Sequence, residues 1–250
     1  MDKKAQFETC NILGVNIAVT NIQDTIALFE KNLENWRGEY VCVSNVHTTV
    51  TAHDDAEYRK VQNGAVMALP DGEPLPTYSR KHGFPQAQRV AGPDLLLAVL
   101  SVSAEKGWKH YFYGSTPETL QAMRAEVEKN YPGVQIAGME SPPFRPLTPE
   151  EDEAAVAAIN EAKPDFVWIG LGAPKQEQWM AAHKGRVKGL MIGVGAAFDY
   201  TAGSIHRAPM WMQKHCLEWV YRLMQDPKRL WSRYVQTNVR YLWLTKICGQ

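Results

Sequence analysis

The sequence predicts an α/β fold, in which a mostly parallel sheet carries helices on both faces and a C-terminal helical appendage follows. Two observations favour the sheet. Short apolar segments alternate along the chain with helix-like segments, and several of the latter begin with a capping residue and a proline. A third observation, a change of composition after residue 205, separates the appendage. We therefore expect an α/β core over residues 1–205 and a basic, aromatic helical appendage over residues 206–250.

The predicted elements follow in a regular order. Strands are expected over residues 40–44, 66–69, 108–113, 134–137, 166–169 and 190–194, each a short apolar run. Helices are expected over residues 48–63 and 92–106, and from the starts Thr116-Pro117-Glu118 and Thr148-Pro149-Glu150. Rossmann-like sheets of this kind bind ligands at the carboxyl ends of their strands. That rule selects Asn45, Asp71, Gly114 and residues 170–176 and 195–199.

The segment FVWIGLGAPKQEQWM, residues 166–180, is the most informative part of the chain. A buried strand breaks at a glycine turn that includes Gly172, and Pro174 stands where a first helical residue belongs. A strand, a glycine turn and a helix N-terminus together favour a bound anion, above all a phosphate. Gln176 and Glu177 place an amide and a carboxylate in that first turn. An ordinary strand-to-helix loop is the alternative interpretation.

Further polar residues follow predicted strands. Asp71, in LPDG, can act as a base, although Pro-Asp-Gly is also ordinary turn chemistry. Asn45 can orient a substrate hydroxyl or cap a helix, and for the neighbouring His47 a surface role is favoured. Arg89 can neutralise a phosphate or be a plain surface residue. Asp199 can hold a ribose hydroxyl or cap a helix.

Composition excludes several classes of protein. The chain is 45% hydrophobic and 22% charged, which is typical of a globular protein. The start MDKKAQFETC has no apolar signal region, and the longest apolar run is far short of a membrane span. Four widely separated cysteines indicate reduced thiols in a cytoplasmic protein. The pairs G-L-G and G-V-G do not complete a dinucleotide motif, because Lys175 and Phe198 occupy the third glycine position.

The last 45 residues carry an unusual charge. From His206 onward eight Lys or Arg oppose two acidic residues, a net charge of +6, so the first 205 residues of this neutral chain carry −6. Half of the eight tryptophans are here as well. In a helix beginning at Asp226-Pro227, Arg229, Arg233 and Arg240 fall on one stripe flanked by aromatic residues. This pattern favours an anionic membrane surface. Nucleic acid, or packing on the core or a second subunit, are the alternatives.

Taken together, these residues resemble the WecG/TagA/CpsF family of bacterial glycosyltransferases, glycosyltransferase family 26. The likeness runs from about Asn11 to Tyr234, and its motifs are GLGAPKQEQW, LPDG, RVAGPDLL, GVGAAFDYTAG, RAPMWMQ and LEWVYRLMQDPKRL. The resemblance implies inverting, metal-independent transfer of a sugar from a UDP-sugar to a polyprenyl-diphosphate-linked saccharide. This chemistry builds teichoic acid, capsule or exopolysaccharide at the inner face of the plasma membrane, and it needs no cofactor.

The resemblance also implies roles for individual residues. Asp71 matches the family's catalytic base, and Asn45 and Gln176 match polar residues of the catalytic site. Donor-binding roles are expected for a larger set of residues. It combines the arginines and the aspartate that match the family with the strand-end glycine and the glycine and proline of the phosphate turn. This set is Arg89, Gly114, Gly172, Pro174, Asp199, Arg222, Arg229 and Arg233. The tail arginines would close over the donor diphosphate, so that the appendage both docks on the membrane and completes the site.

The chain departs from the family pattern in two places. Val43 stands where a threonine is common, so the hydroxyl contact is missing or comes from Ser44. The third tail arginine falls at Ser232, and Arg233 is one residue away, which rotates a helical side chain by about 100°. The alternative function is a non-catalytic nucleotide-sugar or lipid-binding subunit of a polysaccharide assembly. A nucleic-acid binder ranks third, because the core is acidic.

Overall fold

A computed structural model describes residues 7–247, apart from the side chains of residues 214, 229, 232–235, 246 and 247. Eight strands lie within this part of the chain. They are β1 (Thr9–Ile12), β2 (Val15–Ala18), β3 (Tyr40–Ser44), β4 (Met67–Pro70), β5 (Lys109–Gly114), β6 (Gln135–Glu140), β7 (Phe166–Gly170) and β8 (Leu190–Gly193). Six of them form one sheet in the order β4-β3-β8-β7-β5-β6. The pairs β3–β8, β8–β7, β7–β5 and β5–β6 are parallel, which confirms the predicted sheet type.

The helices alternate with these strands. They are α1 (Ile22–Asn32), α2 (Val46–Asp54), α3 (Ala56–Gly64), α4 (Pro74–Lys81), α5 (Gly92–Lys106), α6 (Pro117–Asn130), α7 (Pro149–Glu161), α8 (Lys175–Ala182), α9 (Ala197–Thr201), α10 (Met210–Lys214), α11 (Glu218–Gln225) and α12 (Pro227–Leu242), with a π-helical turn at Trp243–Ile247. No helix in the described part of the chain is both long and apolar enough to cross a bilayer.

Most predicted elements are confirmed, and capping explains the starts of two helices. Thr116 and Thr148 each accept a hydrogen bond from a backbone N–H of the first turn, and a proline follows each of them. Two predictions are wrong in detail. The helix expected over residues 48–63 is two helices, because the extended Asp55 ends α2 and caps α3. Pro174 is the residue before α8 rather than its first residue, and the Ala173–Pro174 peptide bond is cis.

By its internal contacts the chain divides into two compact units, and the boundary falls inside β3. The first unit contains Ile22–Cys42 and Gly92–His206. Its core is aromatic: the Phe166 ring stacks on His110 at 5.6 Å between centroids and on Trp168 at 5.9 Å, and Phe29 lies 5.7 Å away. These side chains are fully buried, so the apolar runs predicted as strands form the centre of this unit.

The second unit is assembled from Gln6–Asn21, Val43–Ala91 and Arg207–Gln250. Its first segment is an antiparallel hairpin of β1 and β2 that the sequence analysis did not predict. Its last segment contributes Leu230 and Tyr241 to the buried interior, and the Tyr241 hydroxyl donates a hydrogen bond to the Pro74 carbonyl at 3.2 Å. The tail helix expected from Asp226-Pro227 is present as α12. The division into residues 1–205 and 206–250 stays a prediction.

Candidate functional site

Asn45 and Asp71 follow the ends of β3 and β4 in the second unit. The Asp71 N–H donates a hydrogen bond of 2.8 Å to the carbonyl of Ser44, and a Cβ added at Gly72, the residue after Asp71, would lie 3.9 Å from that of Asn45. Both side chains are partly exposed. The structure therefore brings together the two polar residues that were selected from separate strand ends.

Asn45 caps α2, which was one of its two predicted roles. Its Oδ1 accepts from the Thr48 N–H at 3.2 Å, and the Thr48 hydroxyl accepts from the Asn45 N–H at 2.8 Å. The cap occupies Oδ1 and leaves the Nδ2 amide as a donor. Capping also fixes the backbone of Asn45, so that its side chain has one direction.

Of the two alternatives for the threonine expected at position 43, the structure favours a missing hydroxyl contact, because the hydroxyl of Ser44 has another partner. The Ser44 hydroxyl is fully buried and donates to Gln62 Oε1 at 2.7 Å, and Gln62 in turn donates to the Tyr58 hydroxyl at 2.9 Å. Because consecutive strand residues point to opposite faces, Ser44 points into the interior of this unit. Val43 is also buried, at 6% exposure.

Arg89 is largely buried and donates hydrogen bonds to three acceptors, so it is not a plain surface residue. Its Nε donates to the Asp71 carbonyl at 2.6 Å, its Nη1 to Gln213 Oε1 at 2.9 Å and its Nη2 to Glu218 Oε2 at 2.6 Å. Arg207 shares the Gln213 acceptor at 3.1 Å. The predicted donor-binding role of Arg89 stays a prediction, and its guanidinium is already directed by these three acceptors.

Gln213 and Glu218 are contacts of Arg89 that the sequence analysis did not predict. The Glu218 side chain is 22% exposed and that of Arg89 15%. Burial raises the pKa of the Glu218 carboxyl above its ordinary value, Arg89 opposes this shift, and the negative charge of Asp71 adds to it. The motifs RAPMWMQ and LEWVYRLMQDPKRL contain both residues, but nothing in the local pattern pairs them with an arginine more than 120 positions earlier.

In the first unit, the turn after β7 has the predicted glycine geometry. Gly172 has φ of +78° with open space around it, and the Gln176 N–H donates back to its carbonyl at 3.0 Å. Gly114, at the end of β5, has φ of +130°, and a Cβ there would lie 2.5 Å from the carbonyl carbon of Gly170. Gly114 is therefore required by strand packing. Ligand contacts at Gly114, Gly172 and Pro174 stay predictions.

Gln176 has a buried oxygen without a partner. The residue is 4% exposed, its Nε2 donates to Glu177 Oε1 at 2.7 Å, and no described residue donates to its Oε1. The G-V-G pair provides the room for it: a Cβ at Gly193 would lie 3.2 Å from Gln176 Nε2, and one at Gly195 3.6 Å from Oε1. Buried acceptors are almost always satisfied, so Gln176 is a candidate ligand contact, and its predicted role stays a prediction.

The remaining predicted residues lie on helices. Asp199 lies in the first turn of α9, where its carbonyl accepts from the N–H and hydroxyl of Ser204 at 3.0 Å each. Arg222 lies in α11 and is partly exposed. The side chains of Arg229 and Arg233 lie outside the described residues, so their expected contacts cannot be compared with the structure. Arg240 pairs with Asp54 at 2.5 Å.

The strand pairs described in the sheet are parallel, and polar residues or glycines follow several of its strands, where α/β enzymes commonly bind their ligands. The sequence matches the Glycosyl transferase WecG/TagA/CpsF family over residues 10–248. The chain belongs to this family, as its motifs predicted.

Three relatives are similar along most of their length. Each carries the name N-acetylglucosaminyldiphosphoundecaprenol N-acetyl-beta-D-mannosaminyltransferase. The protein of Bacillus spizizenii strain W23 is 30% identical over 80% of this chain and 76% of its own. That of Bacillus subtilis strain 168 is 29% identical over 90% of this chain and 87% of its own. That of Staphylococcus aureus strain MW2 is 27% identical over 92% and 90%.

Proposed function

We propose that the chain transfers a sugar, an N-acetylhexosamine, hexose or uronic acid, from a UDP-sugar to a polyprenyl-diphosphate-linked saccharide with inversion at the anomeric carbon. The acceptor class is supported by the relatives, whose name specifies a sugar linked to diphosphoundecaprenol. The observation that carries the proposal is the geometry of Asp71. Its N–H is bonded to Ser44 and its carbonyl to Arg89, so the backbone is held on both sides of a partly exposed carboxylate.

Asp71 acts as the general base. Its carboxylate takes the proton of the acceptor hydroxyl while that oxygen attacks C1 of the donor sugar. The bond from C1 to the phosphate oxygen breaks, and UDP leaves with the electron pair. Direct displacement of this kind inverts the anomeric centre. Asn45 donates from Nδ2, the amide nitrogen that the helix cap does not use, to a sugar or acceptor hydroxyl.

Without a metal or cofactor, the leaving diphosphate needs other positive groups. The first-turn N–H groups of α8 after Gly172 supply one, and the arginines predicted to bind the donor supply the others. Gln176 Oε1 accepts from a donor group of the nucleotide sugar. We further propose that the enzyme works at the inner face of the bacterial plasma membrane, where its lipid-linked acceptor is held.

The test is transfer by the purified chain from a panel of UDP-sugars to a synthetic N-acetylglucosaminyl-diphosphopolyprenol, followed as UDP release and as product mass. Asp71→Asn should lower kcat by about 10²–10⁴-fold, because a general base contributes this much. Binding of the UDP-sugar should persist, since the base acts on the acceptor.

Asp24→Asn, a substitution of an exposed aspartate on α1, is the matched control and should keep full activity. Donor binding by a wild-type chain that transfers no sugar would favour the non-catalytic subunit. Transfer that persists in Asp71→Asn would remove Asp71 from the role of base. Addition of EDTA should leave turnover unchanged, and its loss would contradict metal independence.

A further inference from the structure

One guanidinium connects the candidate base to the last segment of the chain. Arg89 donates to the Asp71 carbonyl through Nε, and its two remaining nitrogens reach Gln213 and Glu218. These four residues lie in one compact unit. An arginine is needed here, because its planar guanidinium donates to three acceptors in three fixed directions. The ammonium group of a lysine could not reproduce this geometry.

The acceptors of this guanidinium are themselves fixed. Gln213 is 7% exposed, and its Nε2 donates to the Ala208 carbonyl at 2.7 Å, which orients its Oε1 towards Arg89. Glu218 is the first residue of α11, and the bond of 2.6 Å to Nη2 joins two side chains that are largely buried. By comparison, the Arg240–Asp54 pair of the same unit is half exposed, with side-chain exposures of 50% and 42%. Buried charge-assisted bonds are the stronger and more directional ones.

We propose that Glu218 is a positioning residue for the proposed transfer reaction: by holding Arg89 it fixes the carbonyl of Asp71, and with it the direction of the Asp71 carboxylate. The proposal rests on the proposed function, because it requires that Asp71 acts as the base. It gives the last segment of the chain a task besides the membrane and diphosphate contacts expected from its arginines.

The positioning role of Glu218 should affect both the rate of transfer and the hydrogen bonds beside Asp71. A base displaced by a fraction of an ångström loses efficiency in the transition state, whereas donor binding does not depend on it. Loss of the Glu218 carboxylate should therefore lower kcat and leave the KM for the UDP-sugar unchanged. The amide bonds beside Asp71 should open more often, namely Asp71 N–H to Ser44 and Val90 N–H to Pro70, both 2.8 Å in the structure.

Three variants of the full chain test this. Glu218→Ala removes the acceptor, and Glu218→Gln keeps the shape and an oxygen but removes the charge. Asp54→Asn is the matched control for Glu218→Gln, since it removes the charge from another carboxylate that pairs with an arginine inside the same unit. Hydrogen exchange of peptides covering residues 66–76 and 86–92 should be at least about threefold faster in Glu218→Gln, faster still in Glu218→Ala, and unchanged in Asp54→Asn.

The rate of sugar transfer is measured with the wild type and the same variants. The expected order of kcat is wild type, then Glu218→Gln, then Glu218→Ala, with about a tenfold loss for the alanine variant. In an Arg89→Ala background the further substitution Glu218→Ala should have no additional effect, because the two residues act through one contact.

The outcomes separate the two proposals. A wild-type chain without transferase activity would overturn the proposed function. The hydrogen-exchange measurement would still decide whether Glu218 positions the loop of Asp71. Exchange in Glu218→Gln equal to that of the wild type, or additive losses in the double variant, would overturn the inference. If Glu218→Ala does not fold, the nearly isosteric Glu218→Gln carries the decision.

Discussion

At the scale of single residues, the buried amide of Gln176 gives a direct test of the proposed donor site. Its amide nitrogen is committed to Glu177 at 2.7 Å, and this bond turns the oxygen away from the carboxylate. The oxygen is buried, with no donor among the described residues. An unsatisfied buried acceptor costs about 1–3 kcal/mol, which a ligand hydroxyl or N–H would recover on binding.

Gln176→Leu should therefore weaken the donor-dependent step. A leucine fills much of the same volume but accepts no hydrogen bond, so kcat/KM for the UDP-sugar should fall by about 10-fold or more. The melting temperature, measured in parallel, should change little, because the lost bond to Glu177 is offset by removal of the unsatisfied oxygen.

The matched control is Gln178→Leu, two positions along the same helix on an exposed side chain. It should leave kcat/KM unchanged. Equal activity of the Gln176→Leu and Gln178→Leu proteins would show that the Gln176 oxygen does not meet the donor.

At the scale of elements, β5 and β7 are joined by a buried histidine as well as by their ladder. His110 Nδ1 accepts from the indole N–H of Trp168 at 3.0 Å, and Nε2 lies 2.8 Å from the Ser103 hydroxyl of α5. The ring is fully buried, and burial lowers the pKa of His110 to about 3. The fold therefore holds this histidine neutral.

This gives a pH dependence with a defined sign. Below its ordinary pKa of about 6.5, the histidine binds a proton in the unfolded chain but not in the folded one, so the free energy of unfolding falls as the pH is lowered. Between about pH 6 and pH 4 the contribution is about 1.4 kcal/mol per pH unit. In His110→Gln this contribution is absent.

Urea unfolding of both proteins at several pH values measures the difference. The two curves of unfolding free energy against pH should run parallel above about pH 7 and converge towards lower pH. Parallel curves over the whole range would mean that His110 is protonated equally in both states.

Elements built from local patterns were predictable, and those built from distant partners were not. β3, β5, β7 and β8 are buried apolar runs, whose composition alone identifies them. The hairpin of β1 and β2 was missed because its strands, TCNI and VNIA, are not continuous apolar runs, and its turn, Leu13-Gly14, has positive φ at a leucine. Asp71, Asn45 and Gln176 were selected from strand ends and family motifs, and their roles stay predictions. The Arg89–Glu218 bond spans 129 positions, a distance over which local patterning carries no information.

At the scale of the whole molecule, α12 has two contrasting faces. Leu230 and Tyr241 are 4% and 5% exposed, whereas Trp231, Val239 and Leu242 are 61%, 63% and 49% exposed. At about 100° per residue the exposed three lie within roughly 80° of one another, with the exposed Lys228 between them. An apolar exposed face with a basic residue is typical of a helix that lies in a membrane interface.

Trp231→Ser combined with Leu242→Ser should reduce binding to vesicles that contain phosphatidylglycerol. Each buried apolar side chain contributes about 1.5–3 kcal/mol, so the loss should be at least about tenfold. Sedimentation with vesicles measures it, and higher salt should weaken the binding of the wild type.

Phe144→Ser is the control for exposed apolar surface, because Phe144 is 85% exposed and lies in the other compact unit. It should bind vesicles as the wild type does. Unchanged binding by the double serine variant would remove this face of α12 from membrane docking.

The composition of the second unit from three separate stretches has a consequence for the order of synthesis. Asp71 is translated early, but Gln213 and Glu218 emerge only after the whole of Gly92–His206 has been made. During synthesis, Arg89 therefore lacks two of its three acceptors until the first unit has been translated. A nascent chain that has not yet reached Gln213 and Glu218 contains all eight described strands but lacks the amide and the carboxylate that hold Arg89.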